Sequence, residues 1–145
     1  MTSIYNSFKT LLFNGGINLG TDTIKVALVS DSIAYTPDID NEQYVADVLD
    51  DVVASECSGP GYSRQTLSVT TSQDNTDNEA VADATDLVYT GADFGTIQSI
   101  LVFKEVTTDA DSPLIASVTS SDLPLTTNGG DVNLNWAAEG LLNLG

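Results

Sequence analysis

The residues best suited to holding a ligand fall in one heptapeptide, Gln73-Asp74-Asn75-Thr76-Asp77-Asn78-Glu79, where three carboxylates sit among side-chain amides. Asp74, Asp77 and Glu79 offer hard oxygen donors, of which calcium gathers roughly six to eight. The loop departs from the EF-hand pattern, which needs glycine at its sixth position and glutamate at its twelfth. In a chain with 21 acidic residues such clusters also arise by chance. The stretch therefore reads first as a solvated turn between strands, with Asp74, Asp77 and Glu79 as a weak candidate set for a structural cation. Asp50-Asp51 and Asp109 with Asp111 are weaker still. Nothing else points to site chemistry. Histidine is absent, so Cys57 and Ser63 have no evident base to activate them as nucleophiles. A zinc site would need sets of Cys and His ligands. The glycines Gly15, Gly16 and Gly20 precede a strand, whereas phosphate-cradling loops run from strand to helix. The chain is expected not to be an enzyme and to need no organic cofactor.

Those carboxylates belong to a wider pattern. The chain has 145 residues, 4 of them basic, and a net charge of −17. Such a surface repels phosphates, which argues against nucleic-acid binding. The acids are dispersed, with Asp22, Asp31, Asp47, Asp83, Asp109 and Asp131 in different segments, and Asp far exceeds Glu. Dispersed acidity with little lysine fits a protein that works in concentrated salt, where at ~1 M the screening length falls to about 3 Å. The lone cysteine cannot form an intrachain disulfide. Met1-Thr2-Ser3-Ile4-Tyr5 lacks the basic start of a signal peptide, and no run approaches the roughly 18 apolar residues of a membrane span. A soluble protein without an N-terminal export signal is expected.

The elements that must position these residues are mostly strands. Tyr5, Phe8, Leu11 and Leu12 recur at helical spacing, with Ser3 as a cap and Asn14-Gly15-Gly16 as the stop. Ile24, Val26 and Leu28 alternate with Lys25 as in a half-buried strand. A short helix is expected over 41–49, capped by Asp40, and Ser58-Gly59-Pro60-Gly61-Tyr62 is a turn. Strands follow around Leu67 and Val69, over 86–90, over 97–104, over 113–119, over 131–137 and over 141–144. In the third of these, over 97–104, Ile100-Leu101-Val102-Phe103 is apolar without interruption, as suits a strand buried on both faces. Many short strands, Gly/Asn/Pro turns and few helices predict a mainly β fold: one domain over 1–145, a β-sandwich or jelly roll with one or two short helices near the N-terminus, capping one end.

Several stretches resemble, in order, a family of small virion proteins of tailed phages. They are Tyr5-Asn6-Ser7-Phe8-Lys9, Gly16-Ile17-Asn18-Leu19, Thr21 to Leu28, Tyr35 to Asp40, Gly59-Pro60-Gly61-Tyr62, Gln73-Asp74-Asn75-Thr76, Pro113-Leu114-Ile115-Ala116 and Asn133-Leu134-Asn135-Trp136. The resemblance spans nearly the whole chain. One departure is Asp77-Asn78-Glu79, where the family tends to basic or aromatic residues.

The resemblance implies a non-enzymatic structural protein, of capsid decoration or cement type. The acidity would place it in a tailed virus of halophilic archaea. Its partners would be the major capsid protein or other virion proteins, and further copies of itself, with a trimer favoured. It would be made in the host cytoplasm and reside on the capsid surface. A tail or neck component, and a cation-dependent turret or adhesin module, are the alternatives. Met1–Phe8 is a candidate contact with capsid or neighbour, or else packs in the core.

Overall fold

The computed structural model describes all of residues 1–145. Its elements are, in order, β1 (Thr2–Ile4), α1 (Asn6–Asn14), β2 (Ile24–Ser30), α2 (Val45–Val48), β3 (Ser55–Glu56), β4 (Gln65–Leu67), β5 (Val69–Asp74), β6 (Glu79–Ala84), β7 (Leu87–Tyr89), β8 (Thr96–Lys104), β9 (Leu114–Val118), β10 (Leu125–Thr126), β11 (Val132–Leu134) and β12 (Leu142–Leu144). All pairings are antiparallel. One sheet runs β1-β9-β8-β2-β3, with β10 beside β8 and β4 beside β2. The facing layer is made of β12-β6-β5 and β11-β7. The fold is a β-sandwich of open sheets, as the strand pattern predicts.

Periodicity in β2 and β8 explains the layering. Ile24, Val26 and Leu28 on β2, with Ile100 and Val102 on β8, face the sandwich interior. There they meet Ala82, Leu87, Tyr89, Val132, Leu134 and Leu142 of the second layer. The intervening Ala27, Val29, Leu101 and Phe103 point to the opposite face, where Tyr5, Val45, Val48, Ala54 and Leu114 cover them. So β2 is more deeply buried than a half-buried strand: only Lys25 and Ser30 reach the surface. Helix α2 lies on this outer sheet face instead of capping an end. Side chains of this size contribute about 1.5–3 kcal/mol each when fully buried.

The helix boundaries differ from expectation for local reasons. Ser3 is held in the β1–β9 ladder opposite Ser117, so it cannot cap α1, which starts after an extended Tyr5 without a side-chain cap. Gly15, at φ 76°, ends the helix as expected, and the Gly16 N–H closes onto the Leu11 carbonyl at 2.8 Å. The predicted 41–49 helix shrinks to Val45–Val48. Asp40 is occupied by the Asn6 amide at 2.6 Å. Asp47 does the capping, accepting the Gln43 and Tyr44 N–H groups at 2.9 and 2.8 Å. Tyr5 and Phe8 are fully buried, so the apolar residues of Met1–Phe8 belong to the core, apart from Met1 and the half-buried Ile4. No helix is long and apolar enough to cross a membrane.

The Gly59-Pro60-Gly61-Tyr62 turn lies flat on residues 90–94. A Cβ on Gly61 (φ 80°) would come within 2.6 Å of the Gly91 oxygen and 2.7 Å of the Thr90 oxygen. Both obstacles are backbone and cannot swing away. Gly61→Ala is therefore expected to cost about 1–3 kcal/mol and lower the melting temperature. Gly91→Ala, also at positive φ but with no atom within 4 Å of its Cβ, is expected to cost less. Thermal melts of the two variants check the ordering.

Candidate functional site

The heptapeptide is the end of a hairpin. Strands β5 and β6 pair from Val69–Ala84 to Asp74–Glu79, and residues 75–78 make the turn. Asn78 takes the left-handed conformation at φ 59°, which its short amide tolerates. Asp74 Oδ1 accepts the N–H groups of Thr76 at 2.8 Å and Asp77 at 3.2 Å, a local acceptor role typical of aspartate in turns. Asp77 is exposed and Glu79 half-buried, with Glu79 Oε1 accepting from the Asn143 amide at 3.2 Å.

One oxygen from each of Asp74, Asp77 and Glu79 lies within 4.8 Å of the others. The three candidate residues are therefore brought together, at one end of an open groove that also includes Asp83 and Glu139. Chemically the cluster is an exposed array of oxygen donors, one of them already engaged with two amides. The weaker pairs are used differently. Asp50 Oδ1 accepts from Val52 and Val53, and Asp111 Oδ1 from Thr107 and Thr108. These bonds hold both carboxyls below their ordinary pKa.

Neither candidate nucleophile has an activating partner. Cys57 is buried against the Thr96 carbonyl. Burial, reinforced by Glu56 and Asp31, pushes its thiol up to about 12, so it is protonated at neutral pH. Ser63 is exposed beside Arg64 in the segment leading to β4.

Two polar assemblies join residues distant in sequence. Arg64, the chain's one arginine, is gripped from both sides. Nε and Nη2 donate to Glu56 at 2.8 Å each, while Nη1 and Nη2 donate to Asp109 at 2.6 and 2.9 Å. The guanidinium also lies 5.3 Å from the centre of the Phe103 ring. The fork is committed to two carboxylates, leaving little with which to hold an anionic ligand. Its bonds lower the Asp109 pKa. Tyr62 donates to the same Glu56, accepts the Leu28 N–H at 3.1 Å, and packs with Tyr89 and Phe94.

The second assembly is a buried relay. Tyr35 donates to Glu42 Oε2 at 2.8 Å, and with that proton committed Tyr5 donates to Tyr35 at 2.6 Å. Glu42 is only 8% exposed and also accepts the Asp38 N–H at 3.0 Å. Burial raises its pKa, opposed by these hydrogen bonds and aided by Asp38 and Asp47. The uniqueness of Arg64 was a signal available in the sequence, but its partners were not. The Tyr5–Tyr35–Glu42 alignment left no local pattern.

No protein-family model matches the chain, nor does any curated protein or solved structure.

Two predictions follow from the buried groups. Arg64→Lys retains the charge but not the two-sided fork, and is expected to cost about 1–3 kcal/mol in denaturant unfolding. For Glu42, a raised folded pKa means that its favourable contribution is full below the ordinary glutamate value and is lost as pH rises through the folded value. Glu42→Gln preserves an acceptor oxygen without the buried charge. The variant is therefore expected to gain stability relative to the parent as pH rises above the ordinary glutamate value. Paired thermal melts across that range test the sign. The lowered carboxyls Asp22, Asp38, Asp50, Asp109 and Asp111 make acid destabilising in both proteins, and this cancels in the difference.

Proposed function

We propose that this chain is a non-enzymatic structural protein of a tailed virus particle, a capsid decoration or cement protein that binds the outside of the shell as a homo-oligomer and stabilises it in high salt. The observation that carries the proposal is the ordered resemblance to small virion proteins across the chain. The structure adds physical support because several of the resembling stretches fall on packed scaffold. Tyr5 and Phe8 lie in the core, Gly61 fits against backbone, Ile24–Leu28 lies in the central strand β2, and Leu114–Ala116 is buried in β9 on the far side of β8. Features retained along such stretches would specify a rigid body for assembly instead of a reaction site.

The handling of ionic groups fits the same role. Lys25 pairs with Glu105, Lys104 with Asp22, and Arg64 with Glu56 and Asp109. Three of the four basic residues thereby tie separate segments together, and the surplus carboxylates are left to a surface suited to concentrated salt. A rigid subunit added between capsomers stabilises a shell by binding its assembled state in preference to its parts.

Quantitative mass spectrometry of purified particles tests the role. On the order of hundreds of copies per particle, located on the shell by electron microscopy, is the expected result for repeated occupancy of capsid symmetry positions. A few copies, or copies confined to isolated tails, would instead indicate a tail or neck component.

A further inference from the structure

The first 21 residues contain no carboxylate, although the chain has 21 in all. This segment carries Lys9, so its side chains sum to +1, leaving −18 of the total −17 on residues 22–145. Part of the segment is core, but α1 also turns a face to solvent. Asn6, Lys9, Thr10 and Phe13, spaced as one helical stripe, are all exposed, and Phe13 is 95% exposed. Lys9 forms no salt bridge and donates only to Asn6 Oδ1 at 2.9 Å. Beside the first half of this stripe is a groove bounded by Ser7, Thr10, Leu11, Tyr44 and Pro113. Its one carboxylate, Asp40, is held by the Asn6 amide.

We propose that the α1 face is the surface through which a second copy of this chain binds, with the two helices antiparallel and Phe13 of each copy seated in the other's groove. Charge selects the face. Every carboxylate of the chain lies on residues 22–145, so two α1 faces meet with few carboxylates between them. Spacing selects the orientation. The stripe 6-9-10-13 is symmetric about its midpoint, so a two-fold axis there sets Phe13 against Asn6 of the partner and Lys9 against the partner's Thr10. Such an interface is self-complementary, and an exposed aromatic entering a groove is a typical energetic anchor. Antiparallel helix dipoles add no penalty.

The inference rests on the homo-oligomeric part of the proposed function, but its test uses the isolated chain and leaves the particle location to be decided separately. Sedimentation equilibrium in concentrated salt is expected to show self-association of the full chain. Phe13→Ser should weaken it by at least about ten-fold in Kd, with an unchanged circular dichroism spectrum. Val52→Ser, at another highly exposed apolar residue, should have no such effect. The orientation is tested with Asn6→Cys and Phe13→Cys, singly and combined. Positions seven apart on one helix are too distant for a disulfide within a chain, so oxidation should yield covalent dimers from the double variant, or from a mixture of the singles. A monomeric parent chain, or self-association insensitive to Phe13→Ser, would overturn the interface. Cross-linking only between identical single variants would overturn the antiparallel register.

Discussion

Strands β2 and β8 are paired from Ile24–Lys104 to Ser30–Ile97 and buried on both faces, and the other elements are arranged around that pair. Strands β9 and β10 dock along one edge of β8, while β3 and β4 share the far edge of β2. Apolar side chains emerging alternately from the two faces require two separate covers. The second β layer supplies one, and the Tyr35–Ala54 region with α2 supplies the other. This double demand explains why so short a chain needs many small elements: each covers a limited part of the same central ladder.

What could be read from the sequence follows from this arrangement. Ile100-Leu101-Val102-Phe103 announced a doubly buried strand because a short, continuous apolar run rich in β-branched and aromatic residues suits one. The Asp74–Glu79 turn was legible from its own residues. Strand β6 was not, since Ala80, Ala82 and Ala84 have weak intrinsic strand preference and are held by β5 and β12 on either side. Strands β3 and β10 are two residues each, too short to carry a period. The polar assemblies were hidden for a different reason. Arg64 meets Asp109, and Tyr5 meets Tyr35, only after the chain has folded, and nothing local marks either pair.

Electrostatically the protein divides into two populations. The few basic side chains are mainly committed to links between segments, and Glu42 is sequestered with two tyrosines. Many aspartates act on their own neighbourhood, fixing turns through backbone amides. The excess of Asp over Glu thus has a geometric cause: the shorter side chain can reach back to N–H groups two or three residues away.

In Asp50, Asp74 and Asp111 one oxygen, Oδ1, receives both backbone amides. Asparagine carries an equivalent Oδ1, and its codons differ from those of aspartate by one nucleotide. Turn geometry and surface charge are consequently separable at these positions. A lineage moving between brines and fresher water could adjust its charge in single mutational steps while the loops retained their shape, so that salinity preference could evolve faster than architecture.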